Sequence, residues 1–224
     1  MKIKFLGHSC FQIEVNQKII LVDPFISGNP LLTNKEIDTI VVDYILVSHA
    51  HQDHTLDVEQ IAKINNATVI ANWEIATYYG NKGIKIHPMN TGGSWQFDFG
   101  TIKMTAAVHS SSFPDGTYGG NPNGFIIVSE HKKIYIAGDT ALFLDMQLIA
   151  KENLDLAILP LGDNFTMGVE DAILASDFIK CDKILGCHFD TFGYIEIDHE
   201  AAIKKFFNQG KDLMLLDIND CIEI

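Results

Sequence analysis

Ser48-His49-Ala50-His51-Gln52-Asp53-His54 comes directly after the apolar stretch from Asp43 to Val47, which has the composition of a buried strand. The run contains three imidazoles and one carboxylate. In a protein core, each of these side chains would bring polar atoms that need partners. On the loop after a strand, the same side chains can hold a divalent cation and leave coordination positions open. The run therefore predicts a metal site rather than a histidine-rich surface turn.

Three later residues of ligand type also follow predicted strands. They are His109 after Ile102 to Val108, Asp139 after Lys132 to Ala137 and Gly138, and His188 after Lys183 to Cys187. Each of them alone would more often be an ordinary core, turn or surface residue. Together they favour one site, because strand ends on a rigid sheet can aim several side chains at the same point.

The first half of the chain begins with three predicted strands: Lys2 to Leu6, Cys10 to Val15, and Ile19 to Val22. Asn16-Gln17 is typical of a hairpin turn between the second and third of these strands. After the histidine-rich run, we expect a helix from Leu56 to Ile64 with Thr55 as its N-cap.

The second half repeats this alternation of strands and helices. The pattern predicts a hairpin around Glu130-His131, helices over Leu142 to Ala150, Val169 to Phe178 and His199 to Asn208, and a final strand from Leu213 to Leu216. No linker separates the halves, so we expect a single domain over residues 1–224. The predicted fold is α+β: a four-layer αββα sandwich of two mixed, mostly antiparallel sheets with helices outside.

The charge pattern argues against a polyanionic partner. The 224 residues carry a net charge of −13, and all 16 basic residues are lysines. Without arginine, the chain lacks the planar fork that best grips phosphate and guanine. No run of lysines exceeds two, so there is no basic track for nucleic acid. We expect a small-molecule substrate instead.

The sequence also predicts where the protein works. No apolar stretch approaches the roughly 18 residues of a transmembrane helix, and the N-terminus lacks the features of a signal peptide. The four cysteines have no paired spacing, which is typical of free thiols in a reducing compartment. We therefore predict a cytoplasmic protein without a membrane partner, and a homo-oligomer is left open.

The order of the ligand-type residues resembles that of the metallo-β-lactamase superfamily. The matching pattern is Asp23, then the HxHxDH motif at His49, His51, Asp53 and His54, then His109, Asp139 and His188. Shorter strings are similar to the small metal-dependent hydrolases near L-ascorbate-6-phosphate lactonases: Leu6-Gly7-His8-Ser9-Cys10, Leu21-Val22-Asp23-Pro24-Phe25, Ala137-Gly138-Asp139-Thr140, Leu159-Pro160-Leu161-Gly162 and Thr166-Met167-Gly168. The resemblance implies a metallo-β-lactamase-like sandwich over the whole chain.

The resemblance further implies two divalent cations per chain, with zinc as the first choice and manganese or iron also suited to these ligands. It places the first cation on His49, His51 and His109, the second on Asp53, His54 and His188, and Asp139 between both. Asp23 would accept a hydrogen bond from a ligand histidine, or else only cap the chain before Pro24. His8 would contact the substrate or support a ligand, or else be structural.

These residues lead to the hypothesis of metal-assisted hydrolysis by a hydroxide that bridges the two cations, with Asp53 as the catalytic residue that relays the proton. The expected substrate is a small ester or lactone, and a small phosphodiester is the alternative. Asp163, Thr166 and Tyr194 lie in predicted strand-end loops and are candidates for substrate contact. A non-hydrolytic metal sensor or a di-iron redox module is the alternative of a different class.

Overall fold

The fold is built on two sheets of seven strands each, in a computed structural model that describes residues 1–224. The first sheet contains β1 (Lys2–Phe5), β2 (Phe11–Val15), β3 (Lys18–Val22), β4 (Tyr44–Leu46), β5 (Thr68–Asn72), β6 (Lys85–Met89) and β14 (Cys221–Glu223). The second contains β7 (Ser94–Phe97), β8 (Gly100–Ala106), β9 (Asn123–Ser129), β10 (Lys132–Ile136), β11 (Leu156–Pro160), β12 (Lys183–Cys187) and β13 (Asp212–Met214). The strand orders are β14-β1-β2-β3-β4-β5-β6 and β13-β12-β11-β10-β9-β8-β7.

A shared apolar core holds the two sheets together. Phe11, Ile13 and Val15 alternate along β2 and are all buried, as expected for a strand with one face turned inward. They belong to one buried cluster with residues of the second sheet, such as Phe125 and Ile158. The inner faces of both sheets therefore pack against each other.

Helices cover the outer faces of the sheets. They are α1 (Gln52–Thr55), α2 (Val58–Asn65), α3 (Trp73–Gly80), a 3₁₀ helix (Leu144–Glu152), α4 (Val169–Ile179) and α5 (His199–Asn208). Ile61 of α2 and Ile75 of α3 join the outward side chains of the first sheet in a second apolar cluster. Ala172 of α4 and Phe206 of α5 do the same for the second sheet. The predicted αββα sandwich is confirmed.

The pairing of the strands corrects one part of the prediction. Each sheet has three antiparallel pairings and three parallel ones. The sheets are mixed as predicted, but antiparallel pairing does not dominate. The reason is that five of the six parallel pairs are joined by a helical crossover, through α2, α3, the 3₁₀ helix, α4 and α5 in turn, and a crossover makes the pair parallel.

The segment after the histidine-rich run also differs from the prediction. Asp53 and His54 lie on the short helix α1 rather than on a loop, and the next helix begins at Val58 with Asp57 at its N-cap position. Thr55 is therefore wrong as an N-cap. Its hydroxyl donates instead to the carbonyl of His51, 2.8 Å away, at the N-cap position of α1.

Two predicted hairpin turns have the backbone that tight turns need. Asn16 and Gln17 have φ values of 49° and 62°, and Glu130 and His131 have 52° and 64°, as in two-residue turns with both central residues at positive φ. The predicted helix at Leu142 to Ala150 is a 3₁₀ helix, and β14 was not predicted. None of the helices is both long and apolar enough to cross a membrane.

The topology brings several strand ends to one edge of the sandwich. Strands β1, β3 and β4 share one direction in the first sheet, and β8, β10, β11 and β12 share one direction in the second. The carboxyl ends of each set therefore meet at a common edge. The loops that carry the predicted ligands all begin there.

Candidate metal centre

Asp139 lies at the centre of the predicted ligands. Its Oδ2 is 2.9 Å from His188 Nε2, 3.4 Å from His54 Nε2, 3.7 Å from His109 Nε2 and 3.9 Å from His49 Nε2. The carboxylate is almost completely buried. One buried oxygen thus faces imidazole nitrogens from both halves of the predicted ligand set.

The ligand atoms form two groups that meet at this carboxylate. His49, His51 and His109 place one ligand atom each within 4.8 Å of one another, and so do Asp53, His54 and His188, together with His8. His49 and His54 also form such a group with Asp139, which joins the two sets. The grouping matches the division that the family resemblance implies, with His8 as an additional member of the second group.

Asp23 orients predicted ligands of both groups, directly or through Ser48. Its Oδ2 accepts a hydrogen bond from His54 Nδ1 at 2.9 Å and from the hydroxyl of Ser48 at 2.6 Å, and its Oδ1 accepts from the Ser48 amide at 2.8 Å. The Ser48 hydroxyl in turn lies 2.9 Å from His49 Nδ1. With Nδ1 held in this way, both imidazoles turn Nε2 towards Asp139. Ser48 therefore does more than fill space beside the ligand.

His8 supports Asp53 in a similar way. His8 Nε2 is 3.0 Å from Asp53 Oδ2, and His8 Nδ1 is 3.0 Å from the hydroxyl of Thr191. The amide of His188 donates to the carbonyl of His8 at 2.9 Å, so the two loops are also joined by backbone. His8 thus lies behind Asp53 and beside the second group rather than on the open side of the site.

The chain adopts unusual backbone conformations at these positions. His8, Asp23 and His188 have φ values of 57°, 44° and 54°, a region that residues with side chains rarely adopt and that clusters at functional sites. Gly138, directly before Asp139, has φ 64°, and a Cβ there would lie 2.7 Å from Asn123 O and 2.9 Å from Ser48 Cβ. Glycine lets the loops of Asp139 and His49 approach each other.

Three histidines of the first group are suited to donate lone pairs. Burial lowers the pKa of His49 well below its usual value and also lowers the pKa of His51 and of His109. A lowered pKa keeps an imidazole neutral near pH 7, which is the form that binds metal. The hydroxyl of Ser110 lies 3.2 Å from His51 Nε2 and so turns His51 Nδ1 towards His49 Nε2, 3.0 Å away.

The charges of the second group are coupled. Burial alone would raise the pKa of Asp53 and Asp139, but His54 and the histidines next to them lower it below the usual range. Burial alone would lower the pKa of His54, yet the three carboxylates around it raise it well above its usual value. In the metal-free protein, the protonated His54 therefore balances part of the negative charge of the buried carboxylates.

The unpartnered atoms of the site fit a cation. His54 Nε2 and Asp139 Oδ1 are completely buried and have no hydrogen-bond partner, and such orphaned polar atoms are costly in a protein interior. Five imidazoles and two carboxylates converge here, the donor set preferred by zinc, manganese and iron. Cations held between the groups would satisfy these atoms and balance the buried negative charge.

A cavity of about 310 Å³ opens onto the ligands. Its walls are His51, Asp53, His109, Asp139 and His188, together with Ser110, Phe165 and Phe192. Sequence reasoning missed Ser110, Thr191, Phe165 and Phe192 as site residues. Ser110 follows His109 directly, and the two phenylalanines lie in strand-end loops, where a large apolar residue is itself a signal.

Other candidates from the sequence lie elsewhere. Asp163 contributes to a different cavity, between the start of α4 and α5, and Thr166 hydrogen-bonds to the backbone of its own loop. Tyr194 is exposed and packs edge-on against Phe165 at the mouth of the site, 6.3 Å between ring centres. Two further histidines lie outside the site: His87 packs against aromatic residues of β7, and His199 binds Asp190.

Comparison with known proteins agrees with this fold and shows the family of the chain. Residues 2–188 match the family model described as a beta-lactamase superfamily domain. This match, the αββα sandwich and the cluster of histidines and aspartates define a protein of the metallo-β-lactamase superfamily. Over its full length and theirs, the chain is 66% identical to a UPF0173 metal-dependent hydrolase of Flavobacterium johnsoniae and 60% identical to one of Christiangramia forsetii. The chain belongs to this UPF0173 family of metal-dependent hydrolases.

A solved structure shows the same architecture. Igni18, described as a novel metallo hydrolase from the hyperthermophilic archaeon Ignicoccus hospitalis, is 31% identical and superposes with a TM-score of 0.90. The match covers 100% of this chain and 98% of that one. The arrangement of strands and helices described above is therefore that of a metal-dependent hydrolase along its whole length.

Proposed function

We propose that this metal-dependent hydrolase holds two divalent cations, zinc by first choice, and cleaves small carboxylic esters or lactones. The observation that carries the proposal is the position of Asp139, whose Oδ2 lies within 3.9 Å of histidines from both ligand groups. A carboxylate between two sets of ligands is what a pair of cations needs to offset their mutual repulsion.

Two cations bound in these groups would supply an acidified water and a positive field for the oxyanion of a carbonyl substrate. The protein contributes the positions of the donors. His49, His51 and His109 hold one side, Asp53, His54 and His188 hold the other, and Asp23 and Ser48 fix the direction of His49 and His54. Because these supports are buried, the ligands need little reorganisation before reaction.

Asp53 is the proposed catalytic residue. Both Asp53 and Asp139 line the cavity, but the side chain of Asp53 is 28% exposed and that of Asp139 only 3%. The two neighbours of Asp53, His8 and His54, keep its carboxylate ionised and hold it in place. An ionised carboxylate at the cavity wall can accept the proton that the attacking water loses and pass it to the leaving group.

The cavity favours an ester or lactone over a phosphodiester. No lysine lines it, and the chain has no arginine, so no cationic side chain could clamp a charged phosphate diester. A carbonyl substrate is uncharged and needs positive charge only where its oxyanion develops. A sugar-phosphate lactone is disfavoured for the same reason, because its phosphate would find no partner of its own.

A parallel screen tests the proposal. Zinc- and manganese-loaded protein is assayed with γ-lactones, 4-nitrophenyl esters and bis(4-nitrophenyl) phosphate, beside an Asp139→Ala variant. We expect turnover of a lactone or ester by the wild type and loss of it in the variant. Turnover of the phosphodiester alone would contradict the proposed bond, and turnover of none would favour a metal-binding sensor.

A further inference from the structure

Two loops form the outer wall of the cavity, and they are fixed to each other. They follow β11 and β12, which are neighbouring parallel strands. Gly162 of the first loop lies so close to the second that a Cβ would be 2.2 Å from His188 O and 2.7 Å from Ile195 Cβ. This close packing fixes the position of both loops relative to His188.

Each loop carries an exposed aromatic side chain beside the site. In the first, Gly162 and Gly168 form a bridge, and the turn between them carries Phe165, which is 52% exposed. In the second, the amide of Ile195 donates to the carbonyl of Phe192 and closes a turn that carries Tyr194, which is 78% exposed. Large aromatic rings are rarely left exposed side by side without a binding role.

Three aromatic rings lie on one side of the cavity: Phe165 and Phe192 line it, and Tyr194 packs against Phe165. The Phe192 ring packs against His8, 5.4 Å between ring centres, and against Phe25 at 6.2 Å, so it forms a fixed inner wall. Phe165 and Tyr194 meet edge-on at 6.3 Å and form the outer rim. A substrate that reaches Asp53 shares the cavity with Phe165 and Phe192, so its acyl or aryl group can contact these two rings.

The polar groups on the cavity wall are already engaged. All of them belong to the proposed ligands except Ser110, whose hydroxyl lies 3.2 Å from His51 Nε2. No lysine lines the cavity, and the protein carries a net charge of −13. A negatively charged group on the distal part of a substrate would therefore lose its hydration without gaining a partner.

We propose that Phe165, Phe192 and Tyr194 select uncharged substrates that carry an aromatic or aliphatic group beside the bond to be cut. The inference rests on the proposed hydrolytic function and names its substrate class. Phe192 supplies the inner wall, and Phe165 and Tyr194 cover the apolar group from the solvent side. A distal anionic group is rejected because this wall contains no cation.

Two matched esters test this selection. In 4-nitrophenyl butyrate, the acyl chain ends in a methyl group, and in mono-4-nitrophenyl succinate a carboxylate replaces that methyl. We expect the metal-loaded wild type to prefer the butyrate by at least about tenfold in kcat/KM, because the methyl group packs on the aromatic rings while the carboxylate finds no partner there. The double variant Phe165→Ala/Tyr194→Ala should lose most of this preference through a higher KM for the butyrate.

A variant that adds a positive charge at the cavity should shift the preference towards the charged ester. Phe165→Lys should raise kcat/KM for the succinate about fivefold, as expected for a partly exposed ion pair, while lowering it for the butyrate. Phe207→Ala is the matched control, because Phe207 is an exposed aromatic on α5 that does not line the cavity. Equal rates of the wild type on both esters, or an unchanged ratio in the variants, would overturn the inference.

A binding measurement separates this inference from the proposed function. N-benzylacetamide, a neutral amide with an aromatic group, is titrated into metal-loaded protein by ligand-observed NMR. We expect binding to the wild type and at least about fivefold weaker binding to Phe165→Ala/Tyr194→Ala. If neither ester is hydrolysed, the proposed function fails, and this titration still decides the aromatic site: equal binding to wild type and variant would overturn it.

Discussion

His8 Nε2 lies 3.0 Å from Asp53 Oδ2, and the ring of His8 is completely buried behind that carboxylate. Burial lowers the pKa of His8 to about 4, so the imidazole is neutral at pH 7 and carries one proton. Because Asp53 is ionised, this proton lies on Nε2 and is donated to the carboxylate. The hydroxyl of Thr191, 3.0 Å from Nδ1, then donates to the other nitrogen.

Replacing His8 should weaken the second cation site. In His8→Ala, Asp53 loses the donor that fixes its direction, and support of this kind is worth about 10- to 100-fold in metal affinity. His8→Gln keeps an N–H group for Asp53 and should retain most of the affinity. Calorimetric titration with zinc measures both variants. His87→Ala is the control, because His87 packs on β7 away from the site; an unaltered affinity in His8→Ala would show that Asp53 needs no such support.

Asp23→Asn should also weaken metal binding. Asparagine fits the positive φ of this position but bears no charge to polarise His54 and Ser48, so we expect a loss of about tenfold or more in affinity. Asp57→Asn is the matched control. Asp57 is equally buried and accepts from the Ile26 amide at 2.6 Å and the Ser27 amide at 2.9 Å, but it contacts no ligand.

The Asp57→Asn control should therefore behave differently. It should lower the free energy of unfolding by about 1–3 kcal/mol, the cost of disturbing buried hydrogen bonds, while the metal affinity stays unchanged. Denaturant unfolding and zinc titration together separate the two effects. Equal metal affinity in Asp23→Asn and Asp57→Asn would remove Asp23 from its proposed role.

Metal binding should release a proton from His54. Three carboxylates raise the pKa of His54 well above its usual value in the metal-free protein, so the imidazolium persists at pH 7 and a cation must displace its Nε2 proton. Calorimetric titrations at pH 7 in two buffers of different ionisation enthalpy should report about one proton released per chain from this residue. The affinity should rise with pH for the same reason. Binding without proton release would contradict the charged state of His54.

The metal-free protein should lose stability in acid through His8. The pKa of His8 is about 4 in the folded protein and about 6.5 in the unfolded chain. Above pH 6.5, the histidine is neutral in both states and the stability is complete. As the pH falls from 6.5 towards 4, the unfolded chain takes up the proton first, and the free energy of unfolding decreases. At pH 5, this loss amounts to about 2 kcal/mol. Urea unfolding of wild type and His8→Gln at pH 7 and pH 5 measures it. We expect a smaller decrease in the variant, and an identical decrease would assign the acid sensitivity to other groups.

The convergence of the proposed ligands could be predicted from the sequence because polar side chains at strand ends have few structural reasons to be there. His109, Asp139 and His188 each follow a strand, and the parallel strands bring them to one edge. The run from His49 to His54 was recognised by its chemistry even though half of it is helical. Local signals were sufficient to predict that these side chains lie together.

Other features depend on contacts that local patterns do not show. The helix α2 begins at Val58 and not at Leu56, because Asp57 is held at its start by hydrogen bonds from the distant amides of Ile26 and Ser27. The local sequence does not show these contacts, and the prediction of Thr55 as N-cap was therefore wrong. β14 is short and pairs only with β1 at the far end of the chain. Phe165 and Phe192 lie in polar loop sequences far apart in the chain, and only the packing of the two loops places them at one cavity.

The metal content of the purified protein is the sharpest test of the two-metal centre. Protein prepared without added metal, or dialysed against zinc and then freed of excess, is analysed by plasma mass spectrometry beside His109→Ala, His188→Ala and Asp139→Ala. We expect close to two ions per chain in the wild type, about one in each histidine variant because each removes a ligand of a different cation, and fewer than one in Asp139→Ala. If the wild type holds a single ion, and both His109→Ala and His188→Ala hold none, the two-metal centre is contradicted.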